Sequence, residues 1–263
     1  MRAAVKNLRS LFANLPPLRG LLPIVLLLVF WQLVQPGPSP YFPGPVQWWH
    51  ATLRLSDRGH LAAAFLSTAS SLLVGLALAI VIGAVLGVLI GASRRLSRAL
   101  DPLLEFLRAI PPPAIVPVAG LLIGYNEGMK LVVVVLAALW PILLNCAAAV
   151  RRIDPLVLEV ARSFRLSRWE TMWRITAPSV VPSLLTGIRI AIPLTIILVL
   201  LVEMLTSLPG IGALMIRAQR NFQSSEVYAL LVMIGLFGFV VNDAFLVIEA
   251  AILRSWPPRM AAT

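Results

Sequence analysis

The chain is short of nearly everything a soluble enzyme uses. Charged residues fill 13% of its 263 positions, where a globular chain carries about 25%, and 59% of positions are hydrophobic. No soluble domain of this size hides that much apolar surface, so the composition places the chain in a membrane. Cys146 is the single cysteine, which excludes a disulfide framework and a thiol metal site. It lies in an apolar run and reads as a small core residue. The two histidines, His50 and His60, share one connecting segment, and no HExxH pattern exists. Lysine is equally scarce. Lys6 follows Val5 and Lys130 follows Met129, so neither completes the GxxxxGK[ST] loop of a nucleotide site. The chain therefore carries no catalytic set, no metal site and no cofactor site of its own, and a pump built on it needs an energy source from another gene.

Arginine, by contrast, is abundant, and the net charge is +11. In a soluble protein that balance points to nucleic acid. Here the arginines sit in loops beside hydrophobic runs, as expected where basic loops stay on the inner side of a membrane, so no nucleic-acid partner is expected. Six apolar spans are expected. Leu21–Val34 is the first, short and uncleaved, since no small-residue cleavage site follows it. The proline-rich loop 36–45 and a short interfacial helix over Gln47–Leu55, with Trp48 and Trp49 beside His50 and Arg54, come next. Leu61–Ala92 is the second span, and its Gly83, Gly87 and Gly91 repeat on one face, as close helix packing requires. Pro102–Ile123, broken by Pro111, Pro112, Pro113 and Pro117, must line something internal, because broken backbone is not tolerated against lipid. Gly124–Lys130 reads as a turn. Leu131–Val150, Ile190–Leu205 and Val227–Leu253 complete the set, with an amphipathic connection over Thr206–Glu226. With the N-terminus inside, the outer segments hold only Arg54, Arg58, Lys130, Arg217 and Arg220 of the 22 Lys and Arg, which supports cytoplasmic N- and C-termini.

One polar stretch, Leu158–Arg189, interrupts the apolar C-terminal half. It holds Glu159, Arg162, Arg165, Arg168, Glu170 and Arg174 and must protrude into water. Asp154 and Pro155 are favoured at a helix start. Arg165-Leu166-Ser167 breaks that helix, and Ser167 can cap a second one with Glu170 at its third position. The expected element is a helix–turn–helix lying on the membrane surface, anchored by Trp169 and Trp173. Arg189 and Asp243 fall at membrane depth, roughly 15 Å from the inner boundary at about 1.5 Å per residue. They are intramembrane polar candidates and are expected to form a structural ion pair with each other, with Asn242 and Glu249 as alternative partners.

Glu159-Val160-Ala161, then Ala177-Pro178, Pro182 and Gly187-Ile188-Arg189, resemble the EAA loop of bacterial ABC importer permeases. Over about residues 20–256 the chain resembles their nitrate/sulfonate/taurine subfamily. The supporting stretches are Tyr41-Phe42-Pro43-Gly44-Pro45, Ser93-Arg94-Arg95 with Asp101-Pro102-Leu103-Leu104, Arg108-Ala109-Ile110-Pro111-Pro112, Trp140-Pro141-Ile142-Leu143-Leu144-Asn145, and Glu203-Met204-Leu205 with Gly210-Ile211-Gly212. The resemblance implies an all-α polytopic membrane protein of about six transmembrane helices with the type I ABC importer, or MetI-like, permease fold. It implies a cytoplasmic segment 1–20, a transmembrane domain 21–256 with a coupling loop at about 151–178, and a cytoplasmic tail 257–263. The implied setting is the bacterial inner membrane. The implied partners are two copies of an ABC ATPase, a second permease copy, a periplasmic or lipid-anchored solute-binding protein, and the bilayer. The implied cargo is a small organic anion, such as a sulfonate or taurine, or nitrate; similar permeases also serve pyrimidine vitamin precursors. The residues that would meet the ATPase are Glu159, Ala161, Arg162, Ser163, Phe164, Arg165, Leu166 and Ser167. One departure stands out: the family usually has glycine six residues after the glutamate, where this chain has Arg165. Either the turn differs or Arg165 is held in a strained state; an acidic group on a matched ATPase would give it a partner. The competing reading is a secondary transporter with no ATPase partner. It expects inverted repeats and a midplane ion site, and the two halves show no such repeat.

Overall fold

The computed structural model describes residues 18–35, 37 and 39–254. The expected cationic segment up to residue 17 and the tail from 255 onward lie outside the described residues. All regular elements described are helices. They are α1 (Leu18–Val34), α2 (Pro45–Asp57), α3 (Leu61–Ala92), α4 (Arg94–Ala109), α5 (Pro112–Ile123), α6 (Glu127–Arg151), α7 (Pro155–Ser163), α8 (Arg168–Thr171), a π-helical turn (Met172–Thr176), α9 (Ala177–Thr206), α10 (Ile211–Arg220) and α11 (Ser224–Arg254).

Four helical stretches are long and apolar enough to cross a membrane: Leu61–Ala92, Glu127–Arg151, Arg168–Thr206 and Ser224–Arg254. The pair α4 and α5 adds a fifth if counted as one broken span, and Leu22–Val34 is a shorter apolar helix. The expected span Pro102–Ile123 therefore needs correcting. Pro102 lies inside α4, and α4 and α5 meet at 92°. Ile110 and Pro111 each precede a proline, which pushes both to extended backbone (ψ 120° and 124°) and stops the helix between them. At 12 residues, α5 is roughly 18 Å long and does not cross a bilayer unaided.

The core is built on α6, which packs most extensively against α3 and next against α9. Leu76 and Ala79 of α3, Ala138, Ile142 and Cys146 of α6, and Ile188, Ala191 and Ile192 of α9 form its largest buried cluster. The glycine stripe faces this seam, as the spacing predicts. A Cβ at Gly83 would stand 2.9 Å from Ile142 Cγ2, and one at Gly91 would stand 2.8 Å from the Ala147 carbonyl oxygen. Helix α11 is mostly exposed, with Leu231, Leu236, Phe239, Val240 and Val247 turned outward. Helix α2 is seated by rings: Trp48 stacks on Tyr228 at 5.5 Å and meets Trp31 edge-on at 5.2 Å.

Candidate coupling loop and the buried charge cluster

The polar loop runs between the ends of the two central helices. α6 stops at Arg151, whose guanidinium reaches Asp101 of α4 at 2.9 Å. Asp154 then caps α7: its Oδ1 accepts from the Leu156 amide at 2.8 Å, with Pro155 at the first helical position, as expected. Ser167 and Glu170 close a complete capping box on α8, at 3.1 Å and 2.8 Å. The expected helix–turn–helix is thus present, and the π turn joins it without a break to α9.

Arg165 resolves the question its position raised. Its φ is 54°, so arginine occupies the left-handed conformation. The Arg165 amide donates to the Arg162 carbonyl at 2.9 Å and the Leu166 amide to the Ala161 carbonyl at 3.0 Å. That pair of bonds is the Schellman motif, which normally takes glycine at this point. The turn is kept and the strain is accepted. Arg165→Gly is expected to stabilise the chain against thermal unfolding in detergent by about 1 kcal/mol. Ser167→Ala, measured the same way, is expected to cost about 1 kcal/mol by removing the cap.

The remaining residues divide by burial. Ala161 is buried against the loop's own helices, and Leu166 is half-buried. Glu159, Arg162, Ser163 and Phe164 are exposed, with Phe164 at 76%. Ser163 Oγ returns a hydrogen bond to the Glu159 carbonyl at 3.1 Å. Leu156, Val157, Val160, Phe164, Leu166 and Ile175 line an open groove of about 480 Å³. Trp169 and Trp173, 5.5 Å apart edge-on, are exposed beside it. A polar loop that shows this much apolar surface, with arginines around it, has the composition of a protein interface.

The expected ion pair between Arg189 and Asp243 does not form. Both side chains are exposed, and the ion pairs among the described residues include neither of them, nor Glu249. The buried charges lie elsewhere. Lys130 and Glu203 are each fully buried and stand 3.5 Å apart. Lys130 was expected in an outer turn. Instead Asn126 Oδ1 accepts from the Met129 amide at 2.9 Å, which starts α6 at Glu127 and carries Lys130 into its first turn. Lys130 Nζ is 2.7 Å from Glu127 and donates to Ser67 Oγ and the Pro209 carbonyl, each at 3.3 Å. The Glu203 carboxylate accepts from the Gly212 amide at 2.9 Å and lies 3.0 Å from Thr68 Oγ1, which accepts from the Ile211 amide at 2.9 Å. Glu203 thereby caps α10, whose N-terminus favours an anion. Gly210 and Gly212 leave the room: a Cβ at Gly210 would collide with the Glu203 carboxyl carbon, and one at Gly212 with the Leu200 carbonyl. A carboxylate inside the apolar run Ile190–Leu205 was the available signal, since such a charge requires a partner.

Comparison with known proteins decides the family. Residues 79–255 match the model of the binding-protein-dependent transport system inner membrane component family. The chain belongs to that family. Its members most similar to this chain include the nitrate import permease protein NrtB of Synechocystis, 30% identical over 94% of both chains. The bicarbonate transport system permease protein CmpB of Synechococcus elongatus is 32% identical over 91% of this chain and 89% of that protein. The formylaminopyrimidine transport permease protein ThiX of Halalkalibacterium halodurans is 32% identical over 82% of this chain and 88% of that protein. Among solved structures, the MetNI methionine ABC transporter in an inward-facing conformation matches with a TM-score of 0.66 and 16% identity. The match covers 75% of this chain and 98% of that one. The all-α MetI-like fold expected of the family is the fold this member has.

Proposed function

We propose that the chain is the membrane subunit of an ATP-driven importer, that two copies form the pathway, and that the loop from Arg151 to Pro178 takes the force of a separate ATPase bound in the cytoplasm. The observation that carries the proposal is the loop itself. It is a doubly capped helix–turn–helix with an exposed apolar groove, joined at one end to α6 and through the π turn to α9, the two helices at the centre of the fold. A rigid lever of this kind transmits motion and needs no catalytic residue. Two ATPase copies would sit on the loops, the chain itself hydrolysing nothing, and a solute-binding protein would bring cargo to the opposite face. Both termini would be cytoplasmic, in a bacterial inner membrane. The cargo proposed is a small oxyanion, after the nitrate, bicarbonate and aliphatic sulfonates named for relatives.

The ATPase contact is assigned to Glu159, Arg162, Ser163, Phe164, Arg165, Leu166 and Ser167, with Phe164 as the apolar anchor; Ala161, expected among them, is buried and packs behind that surface. Purified with the ATPase encoded beside it, the chain is expected to stimulate ATP hydrolysis, and purified without it to show none. Phe164→Asp is expected to weaken ATPase binding at least tenfold without changing the yield of folded chain. An ATPase that stays bound to this variant overturns the assignment, and cargo uptake with no ATPase present overturns the importer in favour of a secondary transporter. Arg189 and Asp243, charged at membrane depth without an ion-pair partner among the described residues, are assigned to the surface covered by the second copy. Asp243→Asn is then expected to lower the yield of assembled pairs on size exclusion. Normal assembly with a changed cargo preference moves the two residues to the pathway.

A further inference from the structure

Resting on the importer reading, we infer that Lys130 and Glu203 are a latch that fastens the outer ends of α6 and α9 and releases as the coupling loop moves their inner ends. The two helices meet the loop at Arg151 and, through the π turn, at Ala177. Their opposite ends carry Lys130 in the first turn of α6 and Glu203 in the last turn of α9. One lever and one fastening thus lie at the two ends of the same helix pair.

Three features of the cluster suit a fastening that opens. First, Lys130 stands between two carboxylates and lies nearer the one on its own helix: Glu127 at 2.7 Å, against Glu203 at 3.5 Å. Parting α6 from α9 breaks the long contact while Glu127, itself half-exposed, keeps the ammonium compensated. Second, Glu203 does not depend on Lys130 alone. It also accepts from Thr68 of α3 and from the amide of Gly212, and the latter, on α10, stays on its own side of the break. Each charge keeps a partner when the pair parts, so parting costs less than deleting one side chain outright. Third, Lys130 also holds the α9–α10 corner through the Pro209 carbonyl, which Ser67 of α3 shares at 2.7 Å. Release of Lys130 frees the corner that covers this end of the core. A purely structural ion pair would favour two short bonds and no second acid at hand.

The test uses the full transporter in proteoliposomes with its ATPase and solute-binding protein, on a Cys146→Ala background. Leu208, half-buried against the cluster of Met129 and Val202 beside the corner, becomes the reporter as Leu208→Cys. A membrane-impermeant maleimide is expected to label it at least tenfold faster with ATP and vanadate than without nucleotide. Lys130→Met with Glu203→Gln is expected to abolish that difference by labelling fast in both states, and to raise ATP hydrolysis without the solute-binding protein at least fivefold. Ser67→Ala, which keeps both charges, is expected to move both readouts two- to threefold in the same direction, and it decides the matter if the double variant does not fold. Equal labelling of Leu208→Cys in the two states overturns the latch. So do variants that leave labelling and basal hydrolysis at the parent values. Failure of the importer reading is distinguishable, because the parent complex would then hydrolyse no ATP, and the latch would fall with it.

Discussion

Gly87→Leu is expected to abolish recovery of the folded chain in mild detergent, and Gly235→Ala to leave it unchanged. At position 87 a Cβ would stand 2.5 Å from the Leu143 carbonyl oxygen, 2.7 Å from Cys146 Cβ and 3.2 Å from Leu143 Cα. Ordinary contacts between such atoms are near 3.5 Å, and two of these three belong to backbone, which no rotamer change moves. α3 and α6 would have to separate by about 1 Å along the most extensive seam of the fold. Overpacking of this kind costs about 1–3 kcal/mol where side chains give way, and more where backbone must. Gly235 has nothing within 4 Å and serves as the control. Cys146 supplies the readout, since it is the single cysteine and is buried in this seam. Its reactivity toward a small maleimide is expected to rise by orders of magnitude in Gly87→Leu and to stay low in Gly235→Ala. A Gly87→Leu chain that is monodisperse with Cys146 unreactive shows that the seam is softer than its geometry.

The second large effect belongs to Lys130→Met. Removing one partner of a buried pair leaves the other charge uncompensated and costs about 3–5 kcal/mol, whereas removing both is near neutral. Lys130→Met is therefore expected to lower thermal stability sharply, and adding Glu203→Gln to restore most of it, a coupling of several kcal/mol in a double-mutant cycle. The carboxamide of glutamine still accepts from the Gly212 amide. Additive losses would show that the two side chains do not interact across their 3.5 Å.

What was legible in the sequence was local. Asp154 with Pro155, and Ser167 with Glu170, declare helix starts through bonds that span two or three residues, and the structure makes each of them. The stripe of Gly83, Gly87 and Gly91 announces a close approach through its spacing. Pro111, Pro112, Pro113 and Pro117 announce a break, but its angle depends on which residue first leaves the helix, and that choice falls to two consecutive X–Pro bonds. Arg165 is the reverse case. The turn was legible and the residue was the surprise, because hydrogen bonds on both sides hold a conformation arginine disfavours. The ion pair expected of Arg189 and Asp243 came from matching their depths, and depth says nothing of which face of a helix a side chain occupies. Lys130 and Glu203 lie 73 residues apart, and Thr68 and Glu203 lie 135 apart. No pattern of period 3.6 links such positions.

Those separations also set an order of events during synthesis. At roughly 5–20 residues per second, Glu203 leaves the ribosome about 4–15 s after Lys130. For that interval a growing chain holds an ammonium at the start of an apolar helix with its buried counter-charge not yet made. Glu127, three residues before Lys130, is made first and lies within 2.7 Å in the finished fold. On this ordering Glu127 is the acid available to pair with Lys130 while α6 enters the bilayer, and Glu127→Gln is expected to lower the fraction of chains that insert before it alters the mature protein.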